Sequence, residues 1–414
     1  MAENRSSLLS TAIELIRCRP AYTEGLGGIE SAQALVCDML RDLGMDPVVV
    51  RGSTGLTSHP DFVDASEVVA AASPLEQVLH PQVAGRWDAG RGRTLALNGH
   101  IDVEPVDDTA WTKSHWARGA VVDRLLYGRG ASDMLAAVAG YMFALSAVRA
   151  IGDPAIDVEI HSVSNEELGG NGTLALLEQR ALPEWVIIGE PTANALCEST
   201  LGFHHFRVEV HGASSHMAEV QPGSTSIERL VNVLPALDRV RTGLRARINA
   251  SPGFSDYCDN PLSIGMVSAG RVPAVPPPVC VLEGTAYSAP SDSVEDVAAL
   301  LHRELAHLGA NRLSMRPLSF PGNGASSATG LVEGLQLASS DAGVDTIRRG
   351  FSSPCDLRHY ARRGSESVVF GPGRLDTAHA PNEHVEIPML LGFSASIANF
   401  ILEPGPALRE RRER

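Results

Sequence analysis

Five short segments of this 414-residue chain each close an apolar run, or the turn after it, with a histidine or a carboxylate. They are His100-Ile101-Asp102, residues 128–134 with Asp133, residues 164–172 with the adjacent Glu166 and Glu167, Gly189-Glu190-Pro191, and residues 371–383 with His379. Residues two apart on a strand share a side, so the carboxylate of Asp102 is expected to accept a hydrogen bond from the His100 ring. Such a partner fixes the tautomer of a metal-bound histidine. Neighbouring carboxylates such as Glu166 and Glu167 can divide labour beside a cation, one binding it and the other moving protons. Taken singly the segments have plainer readings: Asp133 as a helix cap, His379 as a satisfied loop histidine. Taken together, two histidines and several acids supply nitrogen and oxygen ligands suited to Zn²⁺ or a similar divalent ion. A carboxylate between two ions about 3.5 Å apart can bridge them, and such a pair can polarise a carbonyl and activate water.

The elements that would carry these residues alternate between strand and helix. Residues 94–97, 121–127, 158–163 and 185–188 read as strands, and 135–148 as a long apolar helix, which predicts an α/β sheet. In open sheets of this kind ligands bind at the carboxyl ends of the strands. Two amphipathic helices are expected within the first forty residues, followed by a short strand at 48–50. Residues 52–92 lose all periodicity and read as an irregular surface excursion. Near residue 200 the pattern changes to half-exposed strands at 206–210, 280–286 and 312–318, with helices at 226–240 and 294–308. The implied order, strand-helix-strand-strand-helix-strand, suggests a small inserted α+β sandwich. A helix at 327–342, a strand at 367–370 and a helix at 387–400 return to the first style.

All five segments, in order and in rough spacing, resemble those of the co-catalytic zinc hydrolases that include aminoacylase, acetylornithine deacetylase, succinyl-diaminopimelate desuccinylase and glutamate carboxypeptidase. The resemblance implies a zinc-aminopeptidase-like mixed sheet flanked by helices, formed by residues 1–199 and 318–414. A smaller α+β lid and dimerisation domain would occupy 200–317. By the same resemblance His100 and Glu190 hold one ion, Glu167 and His379 the other, and Asp133 bridges them. Glu166 is the general base and Asp102 orients His100. Residues 212–218 resemble a lid motif whose histidine, His216 here, reaches a neighbouring subunit's active site and stabilises the oxyanion. Residues 353–358 resemble a loop that sets Asp356 and Arg358 near the substrate. There are departures: Leu135-Ala136-Ala137 stands where Lys-Gly-Gly is usual, Arg271 stands where an Asn precedes Val-Pro, and Ala286 falls near a common Arg. Such lid positions help hold the substrate's carboxylate in some members, which makes Arg271 a substrate-binding candidate.

Composition sets the remaining bounds. A formal charge of −15 argues against nucleic acid as a partner, and no stretch approaches the roughly 18 apolar residues of a membrane span. Six scattered cysteines without an export signal read as reduced and cytoplasmic. The short basic run at 409–414 reads as a solvated terminus. The expectation is a homodimeric enzyme with two divalent ions, Zn²⁺ first and Co²⁺ or Mn²⁺ as alternatives, that deacylates a small N-acyl amino acid. A dipeptidase or carboxypeptidase uses the same motifs. A non-catalytic metal-binding scaffold is a third reading, and Glu166 speaks against it, since a retired enzyme has little use for a base.

Overall fold

Strands covered on both faces are buried along nearly their whole length, and in the computed structural model four such strands form the parallel centre of an eight-stranded sheet. The structure describes residues 2–24, 26–66, 73–255, 260–308, 311–325 and 329–405. It divides into two units, one of Met1–Glu198, Ala325–Arg349 and Cys355–Arg414, the other of Ser199–Gly324 with Gly350–Pro354.

In chain order the strands are β1 Val48–Val50, β2 Gln82–Trp87, β3 Thr94–His100, β4 Ala120–Val122, β5 Leu125–Tyr127, β6 Asp157–Val163, β7 Trp185–Ile188 and β8 Leu196–Thr200. They continue as β9 Gly202–His211, β10 Leu262–Ala269, β11 Val279–Ser288, β12 Asn311–Phe320, β13 Arg348–Phe351, β14 Glu366–Val369 and β15 His384–Glu386. The large sheet runs β1-β2-β6-β3-β7-β14-β8-β13. Neighbours β6, β3, β7 and β14 are mutually parallel, so their carboxyl ends emerge on one edge. From β3 the chain moves to β6 on one side and then to β7 on the other. That reversal opens a crevice beside the end of β3.

Helix Leu135–Ile151 is apolar nearly all round and correspondingly buried, packed against helices Ile387–Leu402 and Ala2–Arg17. Two sequence expectations need correction here. Residues 52–92 are not irregular throughout: Ser73 and Glu76 form a capping box that starts helix Pro74–Leu79, and β2 follows, paired with β1 and β6. Residues 67–72 lie outside the described residues. Nor is 121–127 one strand; β4 and β5 form a hairpin that turns at Asp123 and Arg124, with φ of 48° and 68°. A turn with two positive φ values usually announces itself by Asn-Gly or Asp-Gly, and Asp-Arg carries no such signal.

The second unit is a four-stranded antiparallel sheet, β10-β11-β9-β12, with helices Ser226–Asn249 and Val294–Leu305 packed on it. The order β9, helix, β10, β11, helix, β12 is the expected one, with β10 supplying the strand that had no assigned range. Strands β9 and β11 alternate buried and part-exposed positions, and Phe206, Val208, Val210, Leu282, Val240 and Leu301 fill the interior. The helix expected at 226–240 continues to Asn249 despite Pro235. Among the described residues no helix is long and apolar enough to cross a membrane. Five cysteines are free; Cys258 and the 409–414 tail lie outside the described residues.

Candidate active site

The parallel edge delivers one candidate residue from each strand end. His100 closes β3, Glu166 and Glu167 follow β6, Glu190 follows β7, and the loop after β14 leads to His379. Asp133 arrives from the turn that opens helix Leu135–Ile151. One oxygen of Asp133, Oδ1, lies 3.0 Å from Nε2 of His100, and its other oxygen lies 3.1 Å from Nε2 of His379. His100 Nε2 is also 3.7 Å from Glu190 Oε1, and His379 Nε2 is 3.1 Å from Glu167 Oε1. The five expected ligands thus form two nests that share Asp133. In the first, ligand atoms of His100, Asp133 and Glu190 lie within 4.8 Å of one another; in the second, those of Glu104, Glu167 and His379 do.

Asp102 differs from expectation. Its carboxylate stays 3.7 Å from the His100 ring, and Nδ1 of His100 instead meets the Asp102 backbone carbonyl at 2.8 Å. The strand ends at His100, so the two-residue alternation no longer holds at Asp102. The freed carboxylate accepts from the backbone N–H groups of Glu166 and Glu167, at 3.3 and 3.2 Å. Asp102 thus anchors the acidic turn after β6 with its carboxylate and the histidine with its backbone carbonyl.

A second anchor joins the Asp133 turn to the His379 loop. Glu383 Oε1 accepts from the backbone N–H groups of Ser132 and Asp133, while its Oε2 takes a 2.8 Å bond from Arg129. Arg129 also donates to the carbonyls of His379 and Pro105. Both side chains are buried, where an unpaired charge would cost several kcal/mol. Close backbone approach completes the frame: a Cβ on Gly371 would lie 2.2 Å from the Gly189 carbonyl, and one on Gly373 2.2 Å from that of Ser132. Larger residues would push the His379 loop off the end of β7.

Electrostatics follow from crowding acids in a dry crevice. Burial lifts Glu166 well above the carboxylate range, against the His100 charge, and the charges of Asp356, Glu167 and Asp133 add to the rise. Burial likewise raises Glu167 to about 7, against the opposing effect of His379. Glu190 is raised well above its ordinary value by burial and then by Asp133. Burial alone would raise Asp133 too, but hydrogen bonds from both histidines hold it far below the usual range. Burial would lower His379, yet the Glu167 charge and the bonds to Asp133 and Glu167 push it up to about 12. A site this acidic calls for cations. Oε1 of Glu190 is buried without a hydrogen-bond partner, and mixed carboxylate and imidazole donors suit divalent ions, so the residues fit a metal pair.

Of the remaining expected site residues, Asp356 and Arg358 lie near enough to Glu166 for their charges to act on it or it on them. Asp356 and Arg358 are buried; Thr173 donates to Asp356, and Arg358 donates to the carbonyl of Gly169, bracing the turn that follows Glu167. Burial pushes Asp356 up to about 6 and Arg358 down to about 10. His216 and Arg271 belong to the second unit and are exposed, His216 accepting a hydrogen bond from the Ala218 backbone. Sequence reasoning missed Glu104, whose signal was its place four residues beyond His100. It also gave no role to Arg129 and Glu383.

Comparison with known proteins adds a family. The sequence model of peptidase family M20/M25/M40 matches residues 96–403. The N-formyl-4-amino-5-aminomethyl-2-methylpyrimidine deformylase of Halalkalibacterium halodurans is 26% identical over 345 residues, covering 75% of this chain and 79% of that one. Acetylornithine deacetylase of Salmonella arizonae is 26% identical over 304 residues, covering 70% and 75%. Among solved structures, human carnosine dipeptidase 1 superposes with a TM-score of 0.72 at 18% identity, covering 97% of each chain. The M20 family metallo-carboxypeptidase Sso-CP2 of Sulfolobus solfataricus gives 0.72 at 16%, covering 95% and 98%. At such identities the likeness concerns the fold.

Proposed function

We propose that this chain, which belongs to peptidase family M20/M25/M40 and is a di-metal hydrolase of it, removes the acyl group from an N-acyl amino acid or a close derivative. The observation that carries the reading is Asp133, with one oxygen at each histidine. His100 and Glu190 would hold one ion, Glu167 and His379 the other, and Asp133 both, with Zn²⁺ the first candidate and Co²⁺ or Mn²⁺ the alternatives. Such ions, when bound, acidify water and polarise the scissile carbonyl.

The chain's own residues do the rest. Glu166 takes a proton from the attacking water and passes it to the departing nitrogen. Its burial beside other acids favours a proton-holding carboxyl, as that shuttle requires. Asp102 steadies the Glu166 turn through two backbone bonds. His216 is assigned to the oxyanion, on the likeness of residues 212–218 to a lid motif, and it would come from the partner of a homodimer. Exposed Ile227, Val231 and Leu234, spaced by four and three along helix Ser226–Asn249, give a second copy an apolar stripe to cover. Arg358, braced against Gly169, is better suited to hold the acidic turn than to bind substrate, and Asp356 with it. Arg271 remains the substrate-carboxylate candidate, exposed in the second unit.

Deacylation is preferred over peptide cleavage because two relatives matched over most of their length carry names denoting removal of acetyl or formyl groups. The test is a panel of N-formyl, N-acetyl and N-succinyl amino acids against dipeptides, each with added Zn²⁺ or Co²⁺. Faster turnover of an acyl amino acid supports the proposal. Faster turnover of dipeptides replaces it with a dipeptidase, and no turnover of either would leave a scaffold.

A further inference from the structure

We propose that Glu104, held in place by Tyr22, is an additional metal ligand at the Glu167–His379 position. The inference rests on the reading of the site as a two-ion centre. Glu104 lies just beyond Asp102 and is half-buried. A ligand atom of its carboxylate lies within 4.8 Å of those of both Glu167 and His379. The Tyr22 hydroxyl donates to its Oε2 at 2.8 Å, which fixes the carboxylate. Two carboxylates this close in a partly dry site repel each other, and a cation between them turns the repulsion into attraction. The neighbouring Glu167 Oε1, on a side chain 7% exposed, faces the His379 ring at 3.1 Å, so imidazole and both carboxylates converge on one point. An ion there would satisfy both.

The consequence is an unequal pair. The first position draws on His100, Glu190 and Asp133; the second draws on His379, Glu167, Asp133 and Glu104. More oxygen donors favour the harder, higher-coordinate ions, so the second position should accept Mn²⁺ more readily than the first. Tyr22 acts as a positioning residue through Glu104.

Isothermal titration of the full-length chain, stripped with a chelator and titrated with Zn²⁺ and separately with Mn²⁺, tests this. The wild type should bind two ions. Glu104→Gln should weaken one of them by about ten-fold or more and leave the other unchanged. Tyr22→Phe should weaken the same ion by a smaller factor. Thermal melting in chelator should be no lower for Glu104→Gln than for wild type, showing that the fold is kept. Two ions bound to Glu104→Gln with wild-type affinity would overturn the inference alone, as would equal weakening of both. Failure of the wild type to bind a pair would bring down the functional reading with it.

Discussion

In the first unit Asp102, Arg129, Asp133, Glu190, Asp356, Arg358 and Glu383 are each 6% exposed or less. In the second unit the interior is Phe206, Val208, Leu282 and their neighbours, and among the described residues His204, Cys280 and Asp292 are its buried ionisable side chains. Removing a charge from water costs several kcal/mol even after relaxation, and pairing returns only part of it. Stability alone does not select a unit that gathers so many. The contrast locates the chemistry in the first unit and leaves the second a scaffold built by packing, with His216 its proposed reach into the reaction.

Substitutions can break or sharpen that contrast. The largest effect is expected at Glu166→Gln, which should cost up to about 10⁴-fold in kcat while keeping both ions, because it removes the proton shuttle. Steady-state rates beside metal analysis decide it, and near-normal turnover contradicts the role. His216→Ala should lower kcat by about 10²–10³-fold, the usual cost of an oxyanion donor, with metal content intact. Metal loss in that variant would move His216 into the coordination sphere. Arg129→Met leaves Glu383 buried and unpaired, for a loss of about 3–5 kcal/mol in denaturant unfolding. Adding Glu383→Gln should recover part of it. Leu282→Ala, in the packed unit, should cost about 2–5 kcal/mol through a cavity, with metal content unchanged.

The smallest effect is a pH dependence within the second unit. Burial lowers His204 to about 4, the Glu295 charge opposing it, while its Nε2 meets the Ser288 hydroxyl at 2.8 Å. The folded state keeps this ring neutral while the unfolded chain protonates it near pH 6.5. The stability it contributes is therefore whole above that pH and lost as pH falls towards 4, by on the order of 2 kcal/mol. Replacement by Gln should flatten that part of the stability curve. An unchanged slope would show that the His204 ring takes up its proton in the fold as readily as in the unfolded chain.

How far the sequence anticipates this arrangement depends on the range of the contacts involved. His100, Glu167, Glu190 and His379 were legible because each ends or follows a buried strand, and strand ends of a parallel sheet converge. Asp133 taken singly read as a helix cap, and its place between two ions was expected only from the family resemblance. Arg129 and Glu383 are 254 residues apart, and no local pattern announces that they pair. Glu104 was overlooked because the strand pattern stops at His100, which also misplaced the Asp102 carboxylate. By resemblance Arg358 was expected near the substrate; only the fold reveals the Gly169 carbonyl to which it donates. Strand β2 hid because Gly85 and Arg86 interrupt its apolar run.

Anomalous X-ray diffraction from crystals grown with Zn²⁺ tests the central claim most directly. Two peaks should flank Asp133, one beside His100 and Glu190, the other beside Glu167 and His379. A single peak, or zinc bound away from Asp133, would contradict it.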